Sequence, residues 1–590
     1  MSRKALTLLI VGIVAVLLLG TAAWLGITGL QAKSELQAAS GALSRAKTAV
    51  TKGDIAGAKA AAAEAAQNTA AARADTSDPI WRLAGAVPLI GATPRTVTLT
   101  AQAADEVASG ALPPLVAAAN EFQGSELRQP DGSVDVARVR SAGADVILAD
   151  GALQQATTTL GGAPTSGVLS PVADARAQLG DQLSSLSSAT GTAARLLAVA
   201  PTLLGSERPQ TYFIAFQSPV EIRGTGGFLG TYGIMTLDKG RLTVDKVATD
   251  SDLKNFPAPV VDLGPDYRQL YGNSPALWVN MNMSPNFPYA GQQWAKAWEL
   301  QTGQRLDGVL GLNVTALQYL SEATGPVTGA KGQTIPADQL VDYLTNGIYA
   351  DFPELSGPVN DARKEFQAQI GTDLLKRAIN FRGSAASLLP ELQKSVTGGH
   401  LLLWSAAPDV QRVLTETALA GATSTSPRPY LQLVLNNGAG NKMDYYLTRK
   451  LTYTGGACKG QWRDSTVDVV LTNTIPAEGE LPPTLTLRVD SGAPGAPPRS
   501  NRTLVYLHTT SGSGMLKATL DGKPVGVSSG SELGHPVISM TLDLPAGKPV
   551  NLHLDLTEPV LAGDPLVPVQ PMVQPQQTDV AWEPCPAVGE

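Results

Sequence analysis

Apolar residues run almost unbroken over 5–30, and the hydrophobic pattern then changes three times along the chain. The first run reaches the roughly 20 residues that cross a bilayer core. Arg3 and Lys4 precede it with no acid among them. The expectation is therefore one membrane-spanning helix within 1–30, with its short end cytoplasmic and the bulk extracytoplasmic. Gly20-Thr-Ala22 resembles a signal-peptide cleavage site, but the run exceeds the usual h-region of roughly 7 to 15 residues. An uncleaved anchor is the reading, and cleavage is its alternative.

An alanine-rich segment follows over 31–205. Leu36, Leu43 and Val50 stand at heptad spacing with Ala39 and Ala46 between them, a helical stripe that Lys52-Gly53-Asp54 breaks. With 55–74 this reads as a close-packed helical hairpin. Further helices are expected over 96–122, 134–159 and 171–199, the first interrupted at Pro113-Pro114. Ser44-x-x-Lys47 matches a nucleophile pattern but sits on this exposed stem without partner motifs.

From 206 the period changes. Residues 212–216, 233–237 and 242–247 read as strands, the last two joined by the turn Asp238-Lys-Gly240. A strand over 306–312 and helices over 292–301, 316–323 and 336–348 follow, so 206–420 is expected to be an α/β sandwich domain. After the polar stretch at 421–427, short alternating runs at 430–435, 445–453, 466–471, 484–489, 504–508, 516–525, 537–544 and 550–556 read as a C-terminal β-sandwich over 421–590.

Composition narrows the chemistry. The 590 residues carry a net charge of −7, which offers no basic footprint for nucleic acid. Four histidines form no metal-ligand spacing. The two cysteines, Cys458 and Cys585, are expected to pair as a disulfide, since an exported chain meets an oxidising environment.

The densest candidate chemistry is the loop Glu221-Ile-Arg-Gly-Thr-Gly-Gly-Phe-Leu-Gly. Gly224, Gly226 and Gly227 let backbone approach a ligand or take positive φ, and Arg223 offers a planar fork suited to phosphate. A β-turn with a surface ion pair between Glu221 and Arg223 is the alternative. The Rossmann and Walker fingerprints are both absent.

Glu221-x-Arg223-x-Thr-Gly-Gly-Phe-Leu-Gly, Leu306-Asp-Gly-Val, Thr324-Gly-Pro-Val327 and Arg363-x-x-Phe366 resemble the signature of the bacterial domain of unknown function 4012 family, over about 206 to the C-terminus. Their order is remotely similar to the LytR-CpsA-Psr envelope phosphotransferases over 208–382. That resemblance implies a polyprenyl phosphate or pyrophosphate carrying a glycopolymer, with peptidoglycan as the acceptor. It places Arg223 and Arg363 against phosphate, with Asp250 and Asp252 as the counterpart of a magnesium site. The aspartate that should follow the first arginine is replaced here by the glycine run, and the Pro-Arg-Asp element is missing. Two functions follow as expectations: a cell-membrane protein that binds such a carrier and transfers its polymer, or a noncatalytic scaffold of envelope assembly.

Overall fold

The computed structural model describes residues 3–88, 90–122, 129, 131–354, 356–381, 385–490 and 497–585, the side chains of 3–19, 51, 385 and 386 excepted. The expected anchor lies largely outside the described side chains. Among the described residues no helix is long and apolar enough to cross a membrane.

The chain divides into two compact units, residues 1–206 with 382–386, and 207–381 with 387–590. The first unit is helical: α1 (Arg3–Thr51), α2 (Ile55–Asp75), α3 (Pro79–Gly85), α4 (Ala92–Asp105), α5 (Leu112–Glu121), α6 (Val136–Gly161) and α7 (Ser170–Leu203). Between α1 and α2 the chain reverses through Gly53 at φ 78, and the Asp54 side chain caps α2 by accepting the Gly57 N–H at 2.8 Å. Ala42, Ala58, Ala62 and Ala65 bury each other there, with Leu43 and Val50 of the heptad stripe packed against them. The interruption expected at Pro113-Pro114 is displaced upstream. A π-helical turn over Glu106–Ala111 absorbs it, and the prolines stand in the first turn of α5, where a missing N–H costs nothing.

The second unit opens with β1 (Gln210–Ser218), β2 (Phe228–Asp238) and β3 (Arg241–Thr249), the last two joined through Lys239 and Gly240, both at positive φ as a tight hairpin requires. There follow α8 (Pro265–Tyr271), α9 (Phe287–Thr302), β4 (Gly308–Asn313), α10 (Val314–Thr324), the two-residue pair β5 (Val327–Thr328) and β6 (Thr334–Ile335), α11 (Ala337–Asp342), α12 (Ile348–Asp351), α13 (Gly357–Ile379), α14 (Ala385–Thr397), β7 (Leu401–Ser405) and α15 (Pro408–Thr415). The sheet order is β3-β2-β1-β4-β7, with β1 and β4 parallel and the other pairings antiparallel. Alternation along β1 sends Phe213 and Ala215 into an aromatic core with Trp278, Trp294 and Trp298 beside α9. Phe216 points the other way and meets α13 so closely that a Cβ at Gly371 would stand 2.6 Å from its ring.

Two further sheets complete this unit. Their strands are β8 (Leu431–Asn437), β9 (Leu447–Lys459), β10 (Trp462–Asn473), β11 (Asn501–Thr509), β12 (Gly514–Leu520), β13 (Lys523–Pro524), β14 (Ser528–Glu532), β15 (His535–Leu544), β16 (Pro549–Pro559) and β17 (Gln576–Ala581). The orders are β13-β12-β16-β10-β9-β17 and β14-β15-β11-β8, facing each other across one core that includes Leu433, Val505, Val467 and Leu554. The strand expected over 484–489 does not form. Pro483 starts a short helix, α16 (Pro483–Thr486), because its ring fixes φ and removes the N–H that a ladder would need. Cys458 and Cys585 are bonded, with Cα atoms 5.9 Å apart, and β17 lies parallel to β9 beside that link.

Candidate functional site

The loop between β1 and β2 does not face solvent. Ile222 is fully buried in the core of the sandwich, among Leu433, Leu435 and Leu451. Its N–H donates to Asp444 at 2.7 Å, its carbonyl accepts the Asn437 N–H at 3.0 Å, and the Gly224 N–H donates to Asn436 Oδ1 at 3.1 Å. Gln570 closes the far side by donating to the Arg223 carbonyl at 2.9 Å. The loop is thus hydrogen-bonded along its length to segments that lie more than two hundred residues later.

The glycines have steric reasons. A Cβ on Gly224 would stand 2.3 Å from the Met283 carbonyl oxygen, and one on Gly227 would stand 2.3 Å from that of Ser218. Gly226 and Gly227 sit at φ 121 and 147. Backbone does approach closely here, and what it approaches is other backbone.

Arg223 is 5 % exposed, and its guanidinium is occupied. Nε donates to Asn280 Oδ1 at 3.0 Å, Nη1 to the carbonyls of Ile222 at 2.8 Å and Asn437 at 3.4 Å, and Nη2 to Glu221 at 3.1 Å. Glu221 also pairs with Lys442, and Phe228 lies between the two cations, 5.6 Å from Arg223 and 5.3 Å from Lys442. Burial alone would raise the Glu221 carboxyl, but the Lys442 and Arg223 charges outweigh it and hold it below its ordinary value. Asp444 has no such cation among the described residues. Burial pushes it up to about 6, against the hydrogen bonds from Ile222, Asn437 and Asn501.

Arg363, on α13, is 4 % exposed and has different neighbours. It donates to Asn360 at 2.5 Å and to Gln367 at 3.3 Å, and lies over the Tyr349 ring at 4.6 Å. No carboxylate pairs with it among the described residues. The two arginines share no partner. A narrow cleft of about 40 Å³ opens at the C-terminal ends of β1 and β4, lined by Phe216, Gln217, Leu312, Asn313, Lys364 and Gln367 among others. Neither arginine lines it, and Gln367 is the one residue joining Arg363 to it.

The aspartates expected at a magnesium site also have separate partners. Asp250 pairs with Lys364, each side chain 15 % exposed, and burial raises its carboxyl despite that lysine. Asp252 is exposed and reaches Lys246 at 3.5 Å. Among the described residues no group of three or more His, Cys, Asp or Glu side chains could hold a metal ion.

Sequence reasoning missed Lys442, Asp444 and Asn437. Their signal was the polar run Asn436-Asn437-Gly-Ala-Gly-Asn441-Lys442-Met-Asp444, too rich in amide and charge for an ordinary strand connection. No curated protein matches the chain. Residues 207–349, which hold the glycine loop and β1 to β6 but neither Arg363 nor the sandwich, match the model of a family described as Protein of unknown function (DUF4012).

Proposed function

We propose that this is a membrane-anchored, extracytoplasmic scaffold of the cell envelope, noncatalytic at its glycine loop. The observation that carries the reading is the state of Arg223, whose N–H groups already serve Glu221, Asn280 and two carbonyls. A phosphate would have to displace those partners from a buried site and leave buried Glu221 with Lys442 as its one remaining cation. The anchor rests on the apolar run over 5–30, and the export on the disulfide between Cys458 and Cys585. Asp250 and Asp252, tied to different lysines, add nothing toward a magnesium-assisted transfer.

A second reading keeps the polyprenyl phosphate of the LytR-CpsA-Psr likeness and moves its site to the cleft of Lys364 and Gln367. It is favoured by Arg363, a buried guanidinium with no carboxylate partner among the described residues. Mass spectrometry of lipid carried by the full chain from its own membrane separates the two. The scaffold reading expects no stoichiometric polyprenyl phosphate. One equivalent of it, lost in Arg363→Ala and kept in Arg223→Ala, would establish the second.

A further inference from the structure

Exposed apolar side chains of the helical unit gather at one end of it. Leu83, Val87 and Ile90, on α3 and the corner that follows it, are 71, 43 and 69 % exposed, and Leu169, just before α7, is 65 % exposed. Trp24, Ile27 and Leu30 of α1 are exposed as well. Of the large apolar side chains exposed among the described residues of this unit, Ile147 and Leu148 on α6 alone lie elsewhere.

Hydrogen bonds and packing fix the level of this patch along α1. The Trp24 indole donates to Asp78 at 2.7 Å, the Trp81 indole donates to Thr28 at 2.9 Å, and a Cβ at Gly29 would stand 3.5 Å from the Trp81 ring, so α3 is fastened to α1. From there α4 runs alongside α1 in the same direction. Ala101 clusters with Ala32 and Leu112 with Ala42, a near-constant offset of about 70 residues between helices of equal rise. The start of α4 at Ala92 is therefore level with about residue 22 of α1, inside the apolar run over 5–30. Leu169 is held at the same level, its N–H donating to Thr93 Oγ1 at 3.0 Å.

The patch thus stands where the run that would cross a bilayer ends. Trp24 and Trp81 combine an apolar ring with a satisfied N–H, as tryptophans at membrane–water boundaries do. Residues 79–104 hold two exposed cations, Arg82 and Arg95, and no acid, a composition suited to lipid phosphates. A soluble partner would give no reason for segments so far apart in sequence to present apolar side chains at the level of that one run.

We propose that Leu83, Val87, Ile90 and Leu169 dip into the leaflet from which α1 emerges, so that the helical unit rests on the bilayer at a second point beside its anchor. The proposal depends on the reading of 5–30 as that anchor. A single span leaves the domain above it free to tilt and turn, and a second apolar contact, entering by about 5 to 10 Å as interfacial segments do, fixes its orientation on the membrane.

The test is depth measurement by fluorescence quenching, on the full chain in vesicles of phosphatidylethanolamine and phosphatidylglycerol carrying spin-labelled lipid. The two native cysteines are bonded to each other, so an introduced cysteine alone takes the NBD label. Val14→Cys reports on the anchor, and Val87→Cys and Ile90→Cys report on the patch, where exposed side chains can be changed without disturbing the packing. Lys52→Cys, at an exposed position about 40 Å from Trp24 along α1, is the control. Labels at 87 and 90 should lose fluorescence to the spin-labelled lipid, at a depth of about 5 to 10 Å below the headgroups, and the label at 52 should lose none. Quenching at 14 without quenching at 87 and 90 would overturn the second contact and leave the anchor standing. No quenching at 14 would overturn the anchor and the proposal together. Labels at 87 and 90 that escape the lipid quencher yet are shielded from aqueous iodide would give the patch to a protein partner and equally overturn the proposal.

Discussion

Replacing Arg223 by alanine separates a structural guanidinium from one kept for a ligand. The substitution removes four hydrogen bonds at once: those to Asn280, Ile222, Asn437 and Glu221. Glu221, 4 % exposed, keeps only Lys442, and the carbonyls of Ile222 and Asn437 each lose a donor in a region closed to water. Breaking a buried ion pair by removing one partner costs about 3 to 5 kcal/mol. With a urea slope of about 3 kcal/mol/M, that range moves the midpoint down by about 1 to 2 M. The assay is urea unfolding of the full chain by tryptophan fluorescence, since Trp278, Trp294 and Trp298 report from the core of this same unit. A double-mutant cycle with Glu221→Gln isolates the pair, and the two losses should be strongly non-additive. A ligand-binding arginine held under strain would give the reverse, a variant as stable as the parent or more so. That result would refute the structural assignment of Arg223.

Three further outcomes follow from the same geometry. Gly224→Ala places a Cβ against the Met283 and Ser284 backbone and should destabilise by about 1 to 3 kcal/mol, whereas Gly230→Ala, whose nearest neighbour is a Phe228 ring atom at 3.8 Å, should be tolerated; paired urea midpoints check this. Asp444, raised from 3.8 to about 6, holds a proton in the folded state that the unfolded chain gives up between those values, so its contribution to stability falls as pH rises from about 4 to 6 and is level above. The full loss amounts to about 3 kcal/mol at 1.36 kcal/mol per unit, of which about 2 kcal/mol falls between pH 4.5 and 7, and the midpoint difference between parent and Asp444→Asn at those two values should show it; no pH dependence of that difference would remove Asp444 from the account. Breaking the Cys458–Cys585 link opens a loop of 127 residues and should cost up to about 4 to 5 kcal/mol in the chain-entropy treatment. Proteolysis of the reduced chain should then begin in 576–585, and a tail as resistant as before would show that β17 and the Arg463 stack on Trp582, 3.8 Å apart, suffice alone.

Local pattern made much of this fold legible. The Lys239-Gly240 turn, the apolar alternation of β1 and the glycine density of the loop are properties of neighbouring residues, and each has its expected consequence in backbone conformation. Ile222 marks where legibility ends. Nothing near it says that this one isoleucine belongs to a core built two hundred residues later, because the information is divided between the loop and the run from Asn436 to Asp444. The same division explains Arg223. Its sequence neighbour Glu221 was visible, while Asn280 and the pair Asn437 and Lys442 come from two other segments and decide whether the guanidinium has anything left to offer. The strand expected over 484–489 failed on a nearer signal, since Pro482-Pro483 outweighs the alternation that follows.

Amide hydrogen exchange in the loop tests the central claim most directly. If the segment from Glu221 to Phe228 is welded into the sandwich, the amides of Ile222 and Gly224, which donate to Asp444 and Asn436, should exchange as slowly as those of β8 and β11, with or without a short-chain polyprenyl phosphate. Fast exchange in the free protein that slows on adding the lipid would contradict the account and return the loop to the role of a phosphate site.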